Sequence, residues 1–80
     1  MTVTIYGRAG CHLCDEAEAA VARVRAHAGV PFEVRKIDIA GDAALEKKYG
    51  VRIPVVYVDD ERMFDFRVDK AELAARLESP

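Results

Sequence analysis

The sequence predicts an α/β fold in the order β-α-β-α-β-β-α, and three observations predict it. Val3-Thr4-Ile5-Tyr6 is a β-branched run, and a long Ala-rich segment with helical spacing follows it. Val55-Val56-Tyr57-Val58 is continuous and apolar, the pattern of a central strand covered on both faces. Asp69 and Glu72 stand three apart ahead of an apolar stripe, an Asp form of the capping box that opens a helix.

Taken in order, residues 1–6 form the first strand, with Val3 and Ile5 on one face and Thr4 and Tyr6 on the other. Gly7 and Gly10 loosen the turn that follows. Their spacing is not that of a phosphate-cradling loop, since neither G-x-G-x-x-G nor Gly-Lys-Ser/Thr occurs. The first helix is expected from about His12 to Ala28, with a stripe of Leu13, Ala17, Val21, Val24 and Ala28. Gly29 is its expected left-handed stop, with Val30 as apolar partner and Pro31 blocking continuation.

Residues 32–39 form the second strand. Phe32 and Val34 take one phase and Ile37 and Ile39 the other, so either a bulge intervenes or both faces are covered. Asp42 caps a short helix carrying Leu45 and Tyr49, which Gly50 ends. Asp59-Asp60-Glu61 turns the chain after the third strand, and Phe64, Phe66 and Val68 are expected on one face of the last. In the closing helix Leu73, Ala74 and Leu77 face the sheet, and Val68 and Leu73 make a hydrophobic staple. The strand-helix-strand unit should be right-handed and parallel, with a hairpin and a closing helix to complete it.

With 80 residues the chain is read as one domain, 1–80, with a small core. Half of it, 51%, is hydrophobic, enough to fold. The net charge of -2, with both signs mixed along the chain, argues against nucleic acid or an anionic membrane as partner. No apolar run approaches the roughly 20 residues of a membrane span, and no basic-then-apolar leader opens the chain. A cytoplasmic monomer is therefore expected.

Both cysteines, Cys11 and Cys14, lie where the first strand ends and the first helix begins. As a structural staple they would close only a four-residue loop, worth about 2 kcal/mol by chain entropy against about 3 for a 15-residue loop. At a helix start, backbone N–H groups lack partners and the dipole favours negative charge. A thiol there ionises more easily, and the thiolate is the reactive species. With Cys11 as N-cap, Cys14 falls at N3, about one turn on, so the sulfurs can meet while the first is exposed and the second covered. The stretch reads as a redox-active dithiol. Arg8 favours a Cys11 thiolate, as does His12 when protonated, whereas Asp15 and Glu16 oppose it. The expected result is a moderately lowered Cys11 pKa.

Tyr6-Gly7-Arg8-Ala9-Gly10-Cys11-His12-Leu13-Cys14 resembles the active-site segment of small bacterial glutaredoxin-like proteins with a C-x-L-C centre. Tyr49-Gly50-Val51-Arg52-Ile53-Pro54 is similar to the thioredoxin run into its cis-proline. The resemblance covers essentially the whole chain. It implies a thioredoxin-like, four-stranded mixed sheet with helices on both faces. It also implies a thiol-disulfide oxidoreductase that reduces protein or mixed disulfides, with Cys11 attacking and Cys14 resolving. Pro54 would be cis, the Ile53 backbone would pair with bound substrate as a short β-bridge, and Arg8 would stand where glutaredoxins place a glutathione-binding cation. Arg8, His12, Ile53 and Pro54 are the candidate substrate-binding residues. The expected partner is a disulfide-bearing protein, with glutathione or another low-molecular-weight thiol beside it, and no cofactor or resident metal.

Departures from the family pattern are equally legible. Glutaredoxins usually carry a Gly-Gly pair after the last strand, where this chain reads Phe64-Asp65-Phe66-Arg67-Val68-Asp69 without a glycine. Bulk there would crowd a tripeptide. Asp69 stands near the family's helix-capping Asp. Thioredoxin's buried Asp has no counterpart, and Asp15 replaces a common basic residue. The rival function is a metal carrier that uses the same pair for Cu(I) or for a bridged Fe–S cluster without redox turnover. Such carriers usually run β-α-β-β-α-β, and four zinc ligands cannot be assembled from this pair, with His27 too far along the helix.

Overall fold

A computed structural model describes residues 1–78. It comprises β1 (Thr2–Gly7), α1 (His12–His27), β2 (Glu33–Asp38), α2 (Ala43–Tyr49), β3 (Val55–Val58), β4 (Glu61–Asp65) and α3 (Lys70–Glu78). The strands lie in the order β2-β1-β3-β4. β1 and β2 are parallel, whereas β1 with β3 and β3 with β4 are antiparallel. This is the mixed α/β architecture expected, with α1 and α3 on one face of the sheet and α2 on the other.

The two faces are filled differently. Val3 and Ile5 of β1, Val56 and Val58 of β3 and Phe64 of β4 meet Val21 and Val24 of α1 and Leu73 and Leu77 of α3 in the larger core. Each such side chain contributes about 1.5–3 kcal/mol when fully buried. On the opposite face Ile39, Tyr49 and Val55 form a smaller cluster, with Tyr6, Leu45, Ile53 and Tyr57 packed against it.

The phase change in the second strand resolves without a bulge. β2 pairs with β1 in one register from Thr2↔Glu33 to Gly7↔Asp38. Phe32 and Val34 join the larger core while Ile39 joins the smaller, so both faces are covered. The irregularity lies instead between β3 and β4, where Val56 faces Phe64 but Tyr57 faces Arg62, and Met63 is the extra residue.

Helix caps follow the expected chemistry. The Asp42 carboxylate accepts from the Leu45 N–H at 3.1 Å, and that of Asp69 accepts from the Glu72 N–H at 3.0 Å. Val68 packs against the core that holds Leu73, as the staple requires. The end of α1 differs from expectation. Ala28 leaves in an extended conformation (φ -72°, ψ 140°) while its N–H still reaches the Val24 carbonyl. Gly29 is therefore not a left-handed stop, and Val30 is exposed rather than packed. The turn into β2 needs extended backbone at Ala28, so no residue has to reverse its hand.

The last strand also ends early. It stops at Asp65, and Phe66 turns into the left-handed region with φ 67°. Phe64 is buried in the larger core but Phe66 is exposed, so the two do not share a face.

Candidate functional site

The site is built at the end of the sheet where β1 stops. Gly10, with φ 78°, turns the loop into α1, a conformation that glycine adopts without strain. Cys11 is the N-cap of α1, and its sulfur accepts from the Cys14 N–H at 3.2 Å. The cap position usually taken by Ser, Thr, Asp or Asn is thus held by a cysteine sulfur, which satisfies an otherwise orphaned donor. The two cysteines are joined by a disulfide with Cα atoms 5.2 Å apart.

The cysteines differ in access. Cys11 is half-buried, while Cys14 is 4% exposed and heads the buried stripe of α1, ahead of Ala17, Val21 and Val24. The sequence stripe placed Leu13 there; the structure sets Leu13 half-buried at the side. Gly7, read from the sequence only as loosening the turn, makes this packing possible. A Cβ on Gly7 would stand 2.8 Å from the Cys14 sulfur, so only glycine lets the strand end lie against it. A glycine closing a strand just before a Cys pair is the signal that could have found it.

Ile53 and Pro54 lie at the same end of the sheet as this pair. The Ile53–Pro54 peptide bond is cis. β1 and β3 pair as Tyr6↔Val55, so the register carried on by one sets Pro54 level with Gly7, the strand end that leads into the Cys loop. Pro54 is buried and Ile53 half-buried. Among the described residues, neither the N–H nor the C=O of Ile53 has a hydrogen-bond partner. On the far side the Phe66 N–H donates to the Pro54 carbonyl at 2.8 Å. The order across this end of the sheet is thus Cys loop, Ile53–Pro54, Phe66.

Charged residues form the rim. Arg8 lies 4.0 Å from the Glu46 carboxylate, and Arg52 lies 3.6 Å from Asp65. His12, at 87% side-chain exposure, faces Glu16 one turn on at 3.7 Å and does not turn toward the sulfurs' buried side. Asp65 also takes a two-point bond from Arg62, which holds the Arg62 guanidinium more firmly protonated. Behind Cys14 a groove of about 490 Å³ is lined by Gly7, Asp15, Glu18, Lys36 and Asp38. Lys36 donates to Glu18 there, and that bond raises the Lys36 pKa.

On the α2 face the Tyr6 and Tyr49 rings stack with centroids 4.5 Å apart, and the Tyr49 and Tyr57 hydroxyls share a hydrogen bond of 3.0 Å. Burial first, then the bond to Tyr57, pushes the Tyr49 pKa up to about 12. Among the described residues, no three His, Cys, Asp or Glu side chains converge as a metal-binding group. A metal on the Cys pair would have to draw its remaining ligands from another molecule. No described helix is long and apolar enough to cross a membrane.

A mixed sheet of this order, with Cys-x-x-Cys capping the first helix and a cis-proline level with it, defines a thioredoxin-like fold. The chain belongs to a particular family within it: the family model Glutaredoxin-like domain (DUF836) matches residues 2–78. The X-ray structure of protein XcR50 from X. campestris is 41% identical, with a TM-score of 0.74, over 98% of this chain and 97% of that one. The solution structure of protein Ne2328 from Nitrosomonas europaea is 31% identical, with a TM-score of 0.79, over 95% of this chain and 89% of that one. A mutant thioredoxin from Halobacterium salinarum is 26% identical, with a TM-score of 0.63, over 98% of this chain and 72% of that one. No curated protein matches the chain. Family, fold neighbours and the Cys11–Cys14 pair together fit a redox role.

Proposed function

We propose that the protein is a thiol-disulfide oxidoreductase that reduces protein or mixed disulfides. The observation that carries this reading is the asymmetric pair: a half-exposed Cys11 at a helix N-cap, joined to a buried Cys14. In the reduced protein the Cys11 thiolate attacks one sulfur of a substrate disulfide. A Cys11–substrate disulfide forms, the substrate S–S bond breaks, and the first substrate thiolate leaves with the bond's electron pair. Cys14 then loses its proton and attacks the Cys11 sulfur. The second substrate thiolate leaves and the Cys11–Cys14 disulfide closes. Two electrons pass from dithiol to substrate, both leaving thiolates are protonated, and an external thiol or dithiol reductant of lower potential restores the pair.

A lowered Cys11 pKa, the expectation for a thiol at a helix start, does little for the first step. It raises the thiolate fraction, but nucleophilicity falls with a Brønsted coefficient of about 0.4–0.5, so attack gains little. In the second step the substrate thiolate is the leaving group, so a stable Cys11 thiolate acts on the redox balance instead, favouring the reduced form of the pair. Arg8, His12, Ile53 and Pro54 are the proposed substrate-binding residues, with the unpartnered Ile53 backbone offering one β-bridge to an extended substrate.

Insulin reduction with dithiothreitol as electron source tests the reading. Wild type accelerates the loss of insulin disulfides over dithiothreitol alone, and Cys11→Ser does not. Equal rates for both proteins would remove the proposal.

A further inference from the structure

Val51 (89%) and Phe66 (42%) are large apolar residues left exposed, Val51 three residues before the cis-proline and Phe66 bonded to its carbonyl. Val51 lies in the loop that follows α2. Phe66 is the informative one, because its backbone is held where a bulky side chain seldom sits, at φ 67°. Two bonds fix it there. Its N–H donates to the Pro54 carbonyl at 2.8 Å, and the Arg67 N–H closes a tight turn on the Asp65 carbonyl at 2.7 Å. Such strain persists only where neighbours over-determine it, and it gathers at ligand clamps. The backbone is anchored while the ring stays in solvent.

We propose that Phe66 selects the substrate: it receives an apolar side chain close to the target cysteine of an extended polypeptide, in preference to a tripeptide thiol such as glutathione. The proposal rests on the exchange chemistry above. A polypeptide joined to Cys11 through sulfur and to Ile53 through its backbone runs over Pro54. The next element in that direction is the end of β4, since Val55 pairs with Asp65 and Phe66 follows. Side chains of an extended segment alternate in direction, so one near the cysteine is presented to the Phe66 ring. Glutathione brings two carboxylates instead. Two of the arginines near this end of the sheet already face carboxylates, Arg8 toward Glu46 and Arg52 toward Asp65. The ring itself offers a carboxylate no hydrogen bond.

The test uses three probes, each a mixed disulfide with thionitrobenzoate whose release is coloured. Two are decapeptides that differ only in Leu or Asp beside the cysteine; the third is glutathione. Fully reduced protein is mixed with each and single-turnover release is followed. Wild type is expected to favour the Leu probe over the Asp probe by about tenfold, equivalent to about 1.4 kcal/mol. Phe66→Ala removes the ring but keeps the left-handed backbone, whereas Phe66→Gly removes the ring and relieves it, so one variant keeps a sound fold. Both are expected to bring the Leu-to-Asp ratio toward one, and Phe66→Gly to speed the glutathione probe relative to the Leu probe. A ratio unchanged in both variants, with all probes still turned over, overturns the role of Phe66 and leaves the exchange reading standing. No release from any probe by wild type overturns both.

Discussion

The two faces of the sheet do different work at the site where they meet. Under α1 and α3 lies the larger aliphatic core; Cys14 is buried on the same side of α1 as the core residues Val21 and Val24, and packs against Gly7. On the α2 face the cluster is small and leans on three tyrosines, and only Tyr49 is buried within α2. The loop holding Val51, Ile53 and Pro54 hangs from the end of that helix. The cysteine pair is thus mounted on the thick side and the backbone proposed to meet substrate on the thin side. Stability and the positioning of the sulfurs share residues; stability and recognition share far fewer.

The largest expected effect breaks the thick face. Leu73→Ala, at a fully buried position in the larger core, is expected to cost about 2–5 kcal/mol in urea unfolding, because a cavity is left behind. An equal loss from Leu45→Ala, whose side chain is half-buried on the thin face, would contradict the contrast.

Gly7→Ala sharpens it. The new Cβ has to displace the Cys14 sulfur from 2.8 Å, an overpacking expected to cost about 1–3 kcal/mol. It should also shift the Cys11–Cys14 reduction potential, measured against a dithiothreitol buffer. An unchanged potential would show that Gly7 does not set the seat of Cys14.

The caps come next. Asp69→Ala removes the acceptor of the Glu72 N–H and is expected to cost about 1 kcal/mol, read from the same unfolding curves. Asp42 and Asp69 were both legible in the sequence because capping is local chemistry: one carboxylate and one N–H three residues on. The Cys11 cap and the exposed-then-buried order of the pair were legible for the same reason. Phe66 was not. A left-handed phenylalanine contradicts its own propensity and is held by a bond to Pro54, twelve residues back, which no local pattern encodes. The extra residue Met63 and the grouping of Tyr6, Tyr49 and Tyr57 likewise arise from pairing across the sheet. Gly29 misled because it looks like a stop, yet the turn needed only extended backbone at Ala28.

The smallest effect belongs to the thin face. Tyr49→Phe removes one hydroxyl bond and is expected to cost about 0.5–1.5 kcal/mol at neutral pH. Its pH signature is more telling. The Tyr49 pKa is raised in the folded protein, to about 12, so its contribution is fully present below the ordinary tyrosine value near 10. It is lost as the pH rises from there toward 12, because the unfolded chain releases its proton first. Wild type should lose stability over that window, and Tyr49→Phe should lose less; identical slopes would mean that the tyrosine cluster does not carry the alkaline sensitivity.

The central claim is a division of labour between two sulfurs, and trapping tests it most directly. Reduced Cys14→Ser and Cys11→Ser are each mixed with insulin, quenched in acid, and examined by mass spectrometry. The account predicts a persistent Cys11–insulin disulfide in Cys14→Ser, because nothing remains to resolve it, and little adduct on the buried Cys14 of Cys11→Ser. Equal adducts on both variants, or adduct on Cys14 alone, would contradict it.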